Sequence, residues 1–182
     1  MGRREEIVEA ATDHALDHGL VGLSLRPLAE ALGTSDRMLL YHLGSKDALV
    51  AEVVRCATAR ALERLRALPA SASPGAAVRD LHRLWEAPAV RRCQRLHVEA
   101  SALGLFGREP YASTVGSANA LWSSAVRDHL ARSGVPAARL DGVTHLVDAT
   151  FMGLELDASF GSPAGPALET LVAAVERLCS GS

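Results

Sequence analysis

The twenty residues Ser24–Leu43, SLRPLAEALGTSDRMLLYHL, admit few folds. A hydroxyl residue opens one short apolar-periodic run and Gly33 closes it. Ser35 then opens a second run that ends near Leu43. Two short helices joined at a glycine cross at a steep angle, so the turn must be tight and the facing residues small. Ala29 supplies the small contact and Gly33 the turn. Leu25, Leu28, Leu32, Leu39 and Leu43 can fill the core beneath. Pro27 falls in the first helical turn, where its missing N–H costs little. The second helix then shows solvent a face of the width that enters a major groove.

The rest of the chain is read as helical too. Its 182 residues suffice for one sizeable core or two small domains, and 48% of them are apolar. Aromatic residues make up only 4%, and long β-branched runs and Asn-Gly hairpin signals are missing. An all-α protein of about nine helices is expected. A first helix fits residues 4–18, with Ile7, Ala10, Ala11, His14 and Ala15 on one face. Ser45 caps a long helix over 45–66. "PASASPG", residues 69–75, reads as a short linker. Further helices fit near 75–87, 89–106, 110–133, 137–160 and 164–179. The one near 141–160 is apolar on two faces: Val143, Leu146, Val147, Thr150, Phe151 and Leu154 on one; His145, Met152 and Leu156 on the other. Such a helix near a chain end packs on its own core and on a second subunit.

Charge and motifs narrow the function. The formal net charge is −2, so a nucleic-acid surface has to be local. Residues 1–66 hold nine Lys/Arg against ten Asp/Glu, which argues weakly against one. Cys56, Cys93 and Cys179 lack metal or disulfide spacing and read as reduced thiols of a cytoplasmic protein. The charged start, Arg3-Arg4-Glu5-Glu6, precedes no apolar signal core, and no stretch has membrane-spanning length. There is no G-x-S-x-G elbow, Gly-rich phosphate loop, HExxH or paired CxxC. An enzyme is therefore the least favoured reading, and no cofactor is implied. His14 and His18, four apart, have metal-ligand spacing, but no third ligand is evident and structural roles are favoured.

The second short helix carries chemistry suited to a duplex. Arg37 can fork onto guanine, Met38 can touch a thymine methyl and Asp36 can accept from a cytosine amino group. Ser24, Ser35, Tyr41, His42 and Lys46 suit phosphate. Arg3 and Arg4 can form a basic arm, and Arg26 opens the first helix of the pair.

At this point the sequence resembles the N-terminal domain of TetR/AcrR-type transcriptional regulators. The matching residues are Ile7 and Ala11, Gly19, Ser24-Leu25-Arg26, Ala29, Gly33-Thr34-Ser35, Leu39, His42, and Ser45-Lys46 followed by Leu49. Three positions depart from the family pattern. Leu40 stands where a phosphate-holding tyrosine is usual, Met38 replaces Ser or Thr, and Leu43 replaces Phe. The resemblance implies a helix-turn-helix domain over 1–48 and a ligand-binding and dimerisation domain over 49–182, bridged by the helix over 45–66. It implies a ligand-responsive repressor that binds double-stranded DNA as a homodimer joined through its last two helices. It also implies a small-molecule pocket among the C-terminal helices, for which Trp85, His97, Phe106, Trp122, His145 and Met152 are the candidates. The alternative is the same fold without DNA binding, acting by protein contact.

Overall fold

Capping hydroxyls, glycines and prolines divide the chain into nine α-helices among the described residues, with no strand. The structure is a computed structural model that describes residues 2–20, 23–158, 160–161 and 164–181. The helices are α1 (Arg3–His18), α2 (Leu25–Ala31), α3 (Asp36–Leu43), α4 (Lys46–Arg66), α5 (Pro74–Glu86), α6 (Pro88–Gly104), α7 (Tyr111–Arg132), α8 (Leu140–Ala158) and α9 (Gly165–Ser180). A short 3-10 turn, Ala137–Arg139, precedes α8. Among the described residues, no helix is long and apolar enough to cross a membrane.

The helices form two compact units. One comprises residues 1–61 and 88–120, the other residues 62–87 and 121–182, so the divisions fall within α4 and α7 and between α5 and α6. The last division has a local cause. Ala87 precedes Pro88 and is held extended (φ −57°, ψ 130°), as the proline ring requires of its predecessor.

In the first unit α2 packs on α3, and α1 packs on both α3 and α6. The buried face of α1 is Ile7, Val8, Ala11, Thr12 and Ala15. It is rotated from the expected one: Val8 and Thr12 are inside, whereas Ala10 and His14 are half-buried. A helix gripped from two sides buries a wider arc than a single stripe. Thr12 is admitted because its hydroxyl donates to the Val8 carbonyl at 2.7 Å.

The second unit is built on Leu65, Val78, Leu81, Trp85, Val126, Leu130, Val143, Val147, Phe151, Leu171 and Val175. Each such side chain contributes roughly 1.5–3 kcal/mol on burial. The expected linker over 69–75 is tied down. The Ser71 N–H donates to Ser133 Oγ at 3.0 Å and the Ser71 hydroxyl to Asp80 at 2.6 Å. Ser73 caps α5 by accepting from the Ala76 N–H, and Glu176 of α9 accepts from both the Ser73 hydroxyl and the Gly75 N–H. Small polar residues between helices here serve as caps and cross-links. On α8 the inner face is Leu140, Val143, Thr144, Val147, Phe151 and Glu155, while Leu146 and Leu156 are exposed.

Candidate nucleic-acid interface

The turn between α2 and α3 is set by Gly33. Its φ of +61° lies in the left-handed region, which a side chain would strain. The Thr34 N–H closes the turn on the Ala29 carbonyl at 2.9 Å. Ala29 is buried and so brings the helices close. Ser35 caps α3 by accepting from the Met38 N–H at 3.3 Å. Gly44, with φ +85°, stops α3 and redirects the chain. Ser45 then caps α4 by accepting from the Ala48 N–H at 3.0 Å. Ser24 stands at the start of α2 with extended backbone, but its side chain makes no capping bond. Its exposed hydroxyl is left for other partners.

Leu39 and Leu43 anchor α3 in the core. At helical spacing this turns Arg37, Leu40 and Tyr41 outward together. Tyr41 is 79% exposed and Leu40 38%. Met38 and Asp36 are exposed as well, and His42 is half-buried with its ring edge against Tyr41. Asp36 lies in the first turn of α3, where the positive end of the helix dipole favours its charge.

The five expected cations divide into two sets. Arg3 pairs with Glu6 at 3.2 Å, Arg26 with Glu30 at 3.3 Å, and Arg4 with Glu52, which Arg55 also grips at 3.0 Å. Burial alone would raise the Glu52 carboxyl, but the hydrogen bonds from Arg55 and Arg4 outweigh it and hold the group below its usual range. Arg37 and Lys46 are exposed and form no ion pair among the described residues. The free positive charge is therefore at the outer face of α3 and the start of α4.

Residues far along the sequence brace this region within the same unit. Glu99 of α6 accepts from the Leu20 N–H just past α1, and Arg92 of α6 pairs with Asp17 at 3.0 Å. Asp47, at the start of α4, accepts from the Tyr111 hydroxyl at 2.8 Å and from Arg108 at 3.3 Å. Burial, then the bond to Asp47, raises the Tyr111 hydroxyl above its usual range. Arg60 clamps Glu9 and Asp13 of α1, and its hydrogen bond holds the Glu9 carboxyl low. Sequence reading missed these partners, because nothing local marks an α6 glutamate as the acceptor for a backbone N–H near α1.

The candidate pocket residues separate. Trp85 and Trp122 meet edge to face, ring centroids 5.6 Å apart, and Met152 packs against the same core of the second unit. His145, on α8, is exposed. His97 and Phe106 belong to the first unit. His97 is buried on α6, and Phe106 is 91% exposed just beyond that helix. His14 and His18 stack with centroids 4.2 Å apart. The His18 Nδ1–H donates to the His14 carbonyl at 2.8 Å, so one ring nitrogen is occupied. No group of three or more His, Cys, Asp or Glu able to hold a metal occurs among the described residues.

This geometry has relatives. Residues 7–53 match the family model for bacterial regulatory proteins, tetR family. No curated sequence matches the chain. Among solved structures, the chain is similar to a Rhodococcus sp. protein assigned as a TetR-family transcriptional regulator, with 20% identity, 97% of this chain and 98% of that one covered, and a TM-score of 0.71. It is similar to Salmonella enterica GusR at 24% identity, covering 97% and 95%, with a TM-score of 0.68. It is also similar to the multidrug binding protein EbrR, solved with imidazole, at 22% identity, covering 97% and 89%, with a TM-score of 0.67. At these identities the structures speak for the fold, and the family match is confined to residues 7–53. Residues 7–53, with α2 and α3 at their centre, match the tetR-family N-terminal model, and the whole chain is similar in fold to these solved structures.

Proposed function

We propose that the protein is a non-enzymatic, cytoplasmic, ligand-responsive repressor that binds a palindromic operator as a homodimer. The observation that supports it is the face of α3: Leu39 and Leu43 inward, Arg37 and Tyr41 outward, with Arg37 and neighbouring Lys46 free of internal partners. In this reading Arg37 reads a base edge and Met38 touches a thymine methyl, while Ser24, Ser35, Tyr41, His42 and Lys46 hold phosphates. Asp36 sits at the base edge beside Arg37. Arg3, Arg4 and Arg26 contribute by exchanging carboxylates for phosphates.

The dimer is proposed through α8 and α9. On α8, Gly142, Leu146, Ala149, Gly153 and Leu156 are exposed at alternating spacings of four and three, the seam of a helix pair. A Cβ at Gly142 or Gly153 would meet nothing within 4 Å. Two subunits then present α3 to half-sites about 34–36 Å apart. The effector binds in the second unit and must favour the released state by on the order of 5 kcal/mol in total.

The test is selection of duplexes from a random pool, followed by mobility shifts at several salt concentrations. Two free cations per subunit predict a slope of log K against log[salt] of about −4 per dimer, and engagement of all five about −9. Arg37→Ala should relax base preference by about 1–3 kcal/mol at one position per half-site, whereas Lys46→Ala should weaken all sites alike. No selected duplex, or salt-insensitive binding, overturns the reading. That outcome favours a second one, motivated by the exposure of Met38, Leu40 and Tyr41 on one helix: the same fold docking a protein through α3.

A further inference from the structure

Besides His129 Nδ1, the interior of the second unit holds four polar atoms that are sealed from solvent and make no hydrogen bond within the protein. They are the indole nitrogens of Trp85 and Trp122, Thr144 Oγ1 and Asp148 Oδ1. The two indoles meet edge to face, and Trp85 also meets Phe151 with centroids 5.7 Å apart. Thr144, Asp148 and Phe151 follow one another along α8 at spacings of four and three, so they share a face. Asp148 faces Ser123 and the Trp122 indole across from it. Burial pushes the Asp148 carboxyl above its ordinary range, against the pull of Ser123 and Trp122. The charged groups around Asp148 are few: it forms no ion pair among the described residues, and the titratable group that acts on it is His145, one turn earlier and exposed.

A unit that needed only a core would fill this place with apolar side chains, because a half-buried carboxylate and idle indole N–H groups cost stability and add no packing. We propose that Asp148, Trp85 and Trp122 form the recognition end of a site for a compact organic cation, an alkylated amine. The carboxylate repels anions. A neutral ligand leaves its charge unanswered. One carboxylate beside an indole lacks the several oxygens that a hard metal ion requires. An alkylated ammonium meets both needs, with its charge beside Asp148 and its alkyl groups against indole rings, whose faces attract cations. An oxygen on the same molecule can accept from the indole N–H groups. The inference names the effector class for the reading above and rests on the second unit being the ligand-responsive half.

The chain contains two tryptophans, and both are in this site, so intrinsic fluorescence of the full-length protein reads it directly. Titrations with benzyltrimethylammonium, benzyl alcohol and benzoate compare one ring carrying positive, neutral and negative groups. The expected result is a saturable fluorescence change with the ammonium at concentrations at least about tenfold below those for the other two, and a loss of about tenfold or more in Asp148→Asn. Equal responses to the three probes, or none that saturates, overturn the proposal without reliance on any variant. A variant that folds, by circular dichroism, yet binds the ammonium unchanged overturns the role of Asp148. Mobility shifts on a selected duplex separate this from the regulator reading. Ammonium binding without release of DNA sustains the site and removes the regulation, and ammonium binding by a protein that shifts no duplex does the same.

Discussion

The two units are held together by different means. In the first, charged side chains tie segments distant in sequence: Arg4 to Glu52, Arg60 to Glu9 and Asp13, Arg92 to Asp17, and Glu99 to the backbone at Leu20. In the second, Arg79–Glu169 and Glu176 do this as well, but rings also do it inside the core, where Trp85, Trp122, His82 and Phe151 meet edge to face. Ion pairs at a surface are individually weak and salt-sensitive, and they can exchange partners. Aromatic packing is strong and indifferent to salt. The difference teaches that the unit carrying α3 ties its cations in weak, exchangeable pairs, whereas the other commits its interior.

The contrast can be broken or sharpened by four measurements. The largest effect is expected from Phe151→Ala, about 3–5 kcal/mol of lost stability by urea unfolding. Hydrogen exchange should rise in residues 121–182 first, and equal acceleration of α1–α3 would show that the units unfold as one. Next comes Glu99→Gln, which removes a charged acceptor from the Leu20 N–H. A loss of about 1.5–3 kcal/mol is expected, with faster exchange at Leu20, and an unchanged urea midpoint would assign the brace no weight. A pH series ranks third. Burial lowers the pKa of His97 in the first unit, and burial followed by the Arg132 charge lowers that of His129 in the second. The unfolded chain then takes up protons near pH 6.5 that the folded one refuses, so stability present above about pH 6.5 is lost as pH falls through the folded values. A urea midpoint that stays flat between about pH 7.5 and pH 5.5 would contradict this. The smallest effect belongs to Arg92→Ala, whose pair with Asp17 is half-exposed on both sides. A loss of about 0–1 kcal/mol is expected, shrinking in high salt, and a larger, salt-independent loss would mean that Arg92 packs rather than pairs.

Much of the fold was legible in the sequence because its signals are local. Ser35, Gly33, Gly44, Ser45 and Ser73 act on groups within a few residues of themselves, so α3, α4 and α5 begin at their serine caps and α2 and α3 end at turn glycines. The outward set on α3 was legible for the same reason, since burying Leu39 and Leu43 leaves Arg37 and Tyr41 no other side. What was not legible depends on partners distant in the chain. Arg3–Glu6 and Arg26–Glu30 are pairs at helical spacing, but the pairing of Arg4 with Glu52, the wider buried face of α1 and the exposure of Phe106 follow from neighbours that helical periodicity cannot name. Asp148 escaped notice because an acid between apolar residues on a helix reads as solvent-facing until α7 supplies Ser123 and Trp122 beside it.

By itself, then, the sequence determined the helices, most of their limits and the helix-turn-helix within residues 7–53, all set by backbone preference and nearest-neighbour chemistry. Only the tertiary structure decided that Arg4 is taken up by Glu52, which helices brace α1 and α4, and which polar atoms are shut in within the second unit. Those outcomes turn on through-space distances between residues tens of positions apart, and a linear pattern does not encode such distances.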